Sequence, residues 1–333
     1  MPTCYAAMRD ALVVATGRGD DWTAALALED HDLECVAATP ERPDRVFVGT
    51  FESGLLRSED GGDSFERVGE AIDSDAVMSA TISPHDADDV WVGTEPSAVY
   101  RSTDGGDTFE RVAGITDLPS EDEWYFPPRP DTHHVRWIEL DPNDPERVYV
   151  GIEAGALLLS EDGGDTWHER PPGSRRDNHT LATHPDAPGR VYSAAGDGYA
   201  ESTDGGESWE HPQEGLDHRY VWGLAVDPGD PDTVLAWSAT GAGNAHRAPG
   251  ESYLYRKTVP AGDGSWERLD DRGVPTGEGV LRAVLTRGHE AGEVFAVNDH
   301  GIFRTADAGD SWTRLPVEWD RFEERTSRGL AVV

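Results

Sequence analysis

Ser160-Glu-Asp-Gly-Gly-Asp-Thr-Trp167 is the stretch on which the fold turns, because four close copies of it recur along the chain. They begin at Ser58 (Ser-Glu-Asp-Gly-Gly-Asp-Ser-Phe), Ser102 (Ser-Thr-Asp-Gly-Gly-Asp-Thr-Phe), Ser202 (Ser-Thr-Asp-Gly-Gly-Glu-Ser-Trp) and Thr305 (Thr-Ala-Asp-Ala-Gly-Asp-Ser-Trp). Two worn versions run from Gly17 to Trp22 and from Gly262 to Trp266. An Asp followed two residues later by Gly suits a tight turn: the carboxylate accepts backbone N–H bonds while Gly takes the positive φ. The Ser and Thr hydroxyls cap the same turn, and the aromatic after it opens the next strand and buries its ring between packed sheets. Each copy reads as a clip closing a hairpin. A calcium loop would need alternating oxygen ligands, a Gly at the sixth position and a Glu at the twelfth. Asp60-Gly-Gly-Asp63 lacks that arrangement, so the copies are expected to be structural turns with no metal.

Upstream of each copy one phrase returns: an apolar strand, a Pro-containing turn, a Val-rich second strand, and a third strand leading into the turn. Val135–Pro142, Arg147–Gly151, Ala156–Leu159 and Trp167–Arg170 form one such set. Four short β-branched runs per repeat of about 43 residues are the pattern of a propeller blade. The opening strands align on Pro40, Pro84, Pro142, Pro185 and Pro228, with a sixth at Leu281–Thr286. A seventh, Arg328-Gly-Leu-Ala-Val332, matches Trp222-Gly-Leu-Ala-Val226 but has no blade behind it. Thr3–Met8, Ala11–Thr16 and Trp22–Leu28 are three strands that lack an opening one. Joining the two leaves no open inner edge, which is otherwise an aggregation liability. The expectation is an all-β, seven-bladed propeller with four-stranded blades, closed by the C-terminal strand. It forms a single domain over 1–333, with blade one from 1–30 plus 326–333 and blades two to seven over 31–325.

The repeat Ser/Thr-x-Asp-x-Gly-x-Ser/Thr-Trp/Phe resembles the Asp-box, or BNR, repeat of sialidase-like propellers. The resemblance spans nearly the whole chain and implies the fold; enzymes and binding proteins share the box, so it leaves function open. In blade number and in its grouping of arginines the chain is also similar to the photosystem II assembly factors, which are binding propellers.

The sequence carries a net charge of −37, with 28 Lys plus Arg against 65 Asp plus Glu, and Lys257 is its only lysine. Such a surface fits a salt-rich cytoplasm and excludes nucleic-acid binding, which wants a basic face. Cys4 and Cys35 are too few for a disulfide framework and lack metal-ligand spacing, so reduced, buried thiols are expected. No apolar run is long enough to span a bilayer, and the N-terminus has no signal pattern. A cytoplasmic monomer without a cofactor and without membrane or nucleic-acid partners is the expectation.

Six residues before the proline position the blades carry Glu34, Met78, Arg136, His179, Trp222, Arg282 and Arg328. In a propeller these positions ring one mouth of the channel, with His133, His134, Arg175, Arg176, Asp177, His218, Arg219 and Tyr220 nearby in sequence. Two guanidiniums about 8 Å apart repel by roughly 2 kcal/mol at an effective dielectric near 20, so the ring needs counter-charge. Either Glu34, Glu139 and Asp177 supply it, or a ligand does. Arginine's planar fork suits a carboxylate or phosphate. The candidate ligand-binding residues are therefore Arg136, His179, Trp222, Tyr220, Arg282 and Arg328. The partner class is an anionic small molecule, a glycan or a protein carboxylate. Insertions around 115–132 and 241–252 fall on the same face, as functional loops or as acidic disordered ones.

The alternative is a glycoside hydrolase. Sialidases hold a substrate carboxylate with three arginines and use a Tyr–Glu nucleophile with an Asp acid/base. The resemblance would give Arg136, Arg282 and Arg328 the first part. The chain departs from the pattern in blade number and in lacking the Phe/Tyr-Arg-Ile-Pro motif, and no catalytic residue is assigned.

Overall fold

Runs such as Val46–Thr50, Val90–Thr94, Val148–Ile152, Val191–Ala195 and Val294–Asn298 are buried at every position rather than at alternate ones. A strand buried on both faces must lie in a sheet sandwiched between two others. The computed structural model describes residues 1–19, 21–258 and 265–333, and arranges them in seven antiparallel sheets. The first strands, Leu33–Ala38, Val77–Ile82, Val135–Leu140, Asn178–Thr183, Tyr220–Asp227, Val284–Arg287 and Ser327–Val332, touch one another in succession around a central channel. The last touches the first, so the ring is closed.

Closure comes from strand exchange between the two ends of the sequence. Ser327–Val332 runs antiparallel to Thr3–Met8, with Cys4 opposite Val332 and Ala6 opposite Leu330. The Thr3 amide donates to the Val333 carbonyl at 2.7 Å. Blade one is thus built from 3–27 and 327–332, as the matching of Arg328–Val332 to Trp222–Val226 predicts. Two blades depart in detail. In blade five the fourth strand shrinks to a single bridge between Glu201 and Glu210, beside Pro212, which has no N–H to extend a ladder. Blade six gains a fifth strand, Gly277–Glu278, against Glu251–Lys257.

The repeated turns join third and fourth strands. Asp162 accepts the Thr166 amide at 2.8 Å and the Thr166 hydroxyl at 2.6 Å, while the Ser160 hydroxyl accepts the Gly164 amide at 2.9 Å. Asp60, Asp104, Asp204 and Asp307 repeat the pattern. Gly164 has φ +97°, and a Cβ there would stand 3.1 Å from the Trp91 ring of the preceding blade. That neighbour explains a second role the sequence does not disclose. Arg57, Arg147 and Arg256 reach from one blade to the turn carbonyls of Gly105, Gly205 and Ala308 in the next. The clips close hairpins and dock blades together. The aromatics after the turns, Phe109, Trp167, Trp209 and Trp312, are buried, whereas Phe65 is half-buried.

The worn repeat at 262–266 lies outside the described residues up to 264, as does Asp20 in the first one. No helix of the described residues is long and apolar enough to cross a membrane. Cys4 and Cys35 are free thiols, Cys4 buried as expected and Cys35 only half-buried, and desolvation pushes each up to about 12.

Candidate functional site

The channel mouth is built by a bulge repeated around the ring. Pairing skips Glu34, Met78, Arg136, His179, Trp222 and Arg328, each an extra residue near the start of its inner strand. A bulge bends the strand and re-aims the side chain it carries. Glycines at 49, 93 and 151 stand opposite the residues that follow the bulge, and a Cβ on Gly93 would lie 2.4 Å from Val135. In blades two, three and four Val-Gly at the end of the second strand is therefore the sequence mark of the bulge. Arg282, just ahead of the Val284–Arg287 strand, completes the seven positions.

Trp222 is the hub. The Arg282 guanidinium lies over its ring, 3.6 Å from the centroid, and that of Arg136 sits at 4.8 Å. His179 tilts against Trp222 at 4.3 Å, and His246 meets it edge-on at 4.5 Å. Arg282 Nε donates to His246 Nδ1 at 3.0 Å, and the Tyr220 hydroxyl meets His246 Nε2 at 2.9 Å. Burial, then the Arg282 charge, pushes His246 down to about 2, so its ring is neutral. Burial raises the Tyr220 phenol, and the nearby Glu153 and Asp177 raise it further.

Counter-charge is incomplete. Arg328 lies 3.3 Å from Glu34, and Arg136 reaches Glu153 only at 4.0 Å. Arg282 is fully buried; among the described residues no carboxylate comes within 4.0 Å of its guanidinium, and its Nη2 has no hydrogen-bond partner. Its one further contact is Nη1 donating to the Ser327 carbonyl at 2.9 Å. Burial, then repulsion from Arg328 and Arg136, drives its pKa well below the usual arginine range. Glu139, expected among the counter-charges, serves elsewhere. It lies down the channel, accepting the Thr183 amide at 2.9 Å and hydroxyl at 2.8 Å, and burial raises its pKa.

A buried acid–histidine row backs the ring. Glu95 is clasped by Arg129, with Nε to Oε1 at 2.6 Å, and lies 3.3 Å from His134 Nδ1. His134 Nε2 bonds Glu153 Oε2 at 3.0 Å. Burial works to raise Glu95, but the bonds from His134 and Arg129 outweigh it and bring the carboxyl down to about 2. Glu153 is likewise buried, and the His134 bond holds it low. His134 is held above its usual value by the two carboxylates in spite of burial. Asp177 is pushed up, first by burial. One group of three potential metal ligands occurs among the described residues: Glu153, Asp177 and His179, with donor atoms within 4.8 Å of one another.

These residues open onto a cavity of about 770 Å³. Of the six candidate ligand-binding residues, Arg136, Tyr220, Trp222 and Arg328 line it, with Glu34 and Met78 of the same ring. Arg282 and His179 do not; they are sealed behind Trp222, 0% and 1% exposed. His134 and Asp177 reach the cavity, whereas His218 stacks on Tyr253 at 4.2 Å and Arg175 donates to the Tyr199 carbonyl at 2.7 Å. Both insertions contribute walls: Phe126 to Arg129 from one, and Ala242, Gly243, His246 and Arg247 from the other. Sequence reasoning missed Glu95, Arg129, Glu153 and His246. Glu95 and Glu153 each directly follow a second strand, Val90–Thr94 and Val148–Ile152, and that phase was readable. Arg129 and His246 sit in the insertions, where no period applies.

No family model matches the chain, and no curated protein matches it. Solved structures do. An ancestral GH74 enzyme is similar at TM-score 0.65 and 15% identity, over 85% of this chain and 38% of that one. The GH74 enzyme of Niastella koreensis matches at 0.64 and 16%, over 92% of this chain and 53% of its own. YCF48 bound to D1 peptide matches at 0.62 and 16%, over 91% and 86%. The likeness is one of fold. The chain spans between a third and just over half of the GH74 enzymes it resembles, and most of YCF48.

Proposed function

We propose that this propeller is a binding module whose channel mouth takes an anionic group. The observation that carries the reading is Arg282: a buried guanidinium without a carboxylate partner, set beside Arg136 and Arg328. Arg328 is paired with Glu34, while Arg136 only reaches Glu153, which His134 also engages. Arg136 and Arg328 face the cavity beside Trp222, where water is partly excluded and charge interactions are stronger than in bulk. Arg328 and Arg136 line the cavity and would contact the anion; Arg282 would act through its field. Trp222 and Tyr220 offer flat faces to a ring or a peptide side chain. YCF48 has been seen with a D1 peptide, so peptide carboxylates belong in the test alongside sulfate, phosphate and acidic sugars. In crystals soaked with these, an anion should bridge Arg328 and Arg136. Arg328→Ala should weaken binding by about 1–3 kcal/mol, the range for a charge-assisted hydrogen bond. The loss should persist at high salt, because the contact is short-ranged. Anion-free maps together with undiminished affinity in the variant would refute the reading.

Glycoside hydrolysis is the second reading, favoured by one observation: two carboxylates, Glu153 and Asp177, face the cavity beside the arginines. Turnover of sialosides or plant-type glycans, abolished by Asp177→Asn, would establish it. Absence of turnover across such a panel would leave the binding module.

A further inference from the structure

The floor of the mouth holds a feature that anion binding does not use. His179 Nδ1 lies 2.8 Å from the Val221 carbonyl, which can only accept, so the ring hydrogen is on Nδ1. In the neutral ring Nε2 then presents a lone pair. That nitrogen is buried and has no hydrogen-bond partner among the described residues. It points at two carboxylate oxygens, Asp177 Oδ1 at 3.7 Å and Glu153 Oε1 at 3.9 Å. Three electron-rich atoms converging in a buried place repel unless something positive lies between them.

Three species fit that need, a second ring proton, a carboxyl proton or a metal ion, and distance separates them. A proton on Nε2 or on a carboxyl oxygen would draw the nitrogen and oxygen to about 2.5–3.2 Å. The separations of 3.7 and 3.9 Å are too long for that. They suit donors sharing one ion: with bonds of about 2.1 Å, two ligands stand at most about 4.2 Å apart. All three donor atoms lie within 4.8 Å of one another, so closing on an ion takes side-chain shifts on the order of an ångström or less.

We propose that Glu153, Asp177 and His179 hold a divalent transition-metal ion at the floor of the channel mouth. One imidazole with two carboxylates suits zinc, manganese or iron better than calcium, which takes oxygen ligands alone. Each ligand is oriented from behind, as metal ligands commonly are. Val221 fixes the His179 tautomer, His134 bonds the other oxygen of Glu153 at 3.0 Å, and the Ala154 amide donates to Asp177 at 2.9 Å. Glu153 and Asp177 line the cavity, so the coordination positions left open by three protein ligands face it. The two carboxylates neutralise a doubly charged ion.

The test uses the full chain stripped with chelator and kept in about 1 M NaCl, where a Debye length of about 3 Å suppresses diffuse cation binding to the acidic surface. Calorimetric titration with Zn²⁺ and Mn²⁺ should give one site per chain, with Mg²⁺ and Ca²⁺ far weaker. Asp177→Asn should weaken Zn²⁺ binding by at least about tenfold. Asp177 is half-buried, so this variant should keep the wild-type melting temperature in stripped protein. Co²⁺ should give visible absorption that changes in His179→Gln. Absence of a stoichiometric site, or a site whose affinity and Co²⁺ spectrum are unmoved in both variants, would overturn the proposal. Anion binding is measured separately on stripped protein and does not decide it.

Discussion

A carboxylate fastened by hydroxyl and amide donors gives up its charge reluctantly. Asp60, Asp104 and Asp162 are each pushed down to about 2, first by the Ser or Thr hydroxyl four residues on, then by that residue's amide. A depressed folded pKa places the stabilisation above the unfolded value near 3.8 and removes it as pH falls through about 2. Melting temperature should therefore drop steeply between about pH 4 and pH 2. Asp162→Ala should lower it by a few degrees at pH 7 and make the acid drop shallower; equal slopes would contradict the role given to these turns. At this scale the repeat phase made the ring positions legible, since Arg136, Trp222 and Arg328 occupy one register in three blades. It was silent on His246, whose approach to the ring depends on an aperiodic insertion that leaves no spacing in the sequence; Glu153 was missed although its place directly after a second strand was readable.

Among elements, the inner strand of blade one depends most on the rest. Its residues Leu330, Ala331 and Val332 are 7–8% exposed and pack into the cores on either side. Leu330→Ala should cost about 2–4 kcal/mol, the usual range for a buried leucine. Deleting Arg328–Val333 should expose the edge of Thr3–Met8 and cause aggregation. A truncated protein that stayed monomeric with an unchanged melt would show that closure is dispensable. The near-identity of Arg328–Val332 and Trp222–Val226 made this strand recognisable without coordinates. The bulges were not recognised, because inner strands such as Asn178–Thr183 and Tyr220–Asp227 are buried at successive positions, which hides the one-residue shift of phase; in blades two to four the Val-Gly opposite marks it.

At the scale of the whole molecule, the net charge of −37 acts on every blade at once. Self-repulsion is confined to a Debye length of about 3 Å at 1 M salt but reaches about 30 Å at 0.01 M. Dilution from about 1 M to about 0.01 M NaCl should therefore lower the melting temperature by several degrees, and a melt indifferent to salt would contradict this account. The exchange of strands between the two ends of the sequence also sets an order of events during synthesis. Blades two to seven are each assembled from neighbouring residues and can form as they leave the ribosome. Blade one cannot: Thr3–Met8 is made first, yet its inner neighbour, Ser327–Val332, is made only after all the others. While blades two to seven are being made the first blade waits with a bare edge, and the ring shuts in one later step. Any chain cut short before that strand carries its incompleteness on its surface, as an unpaired edge that chaperones and proteases can recognise.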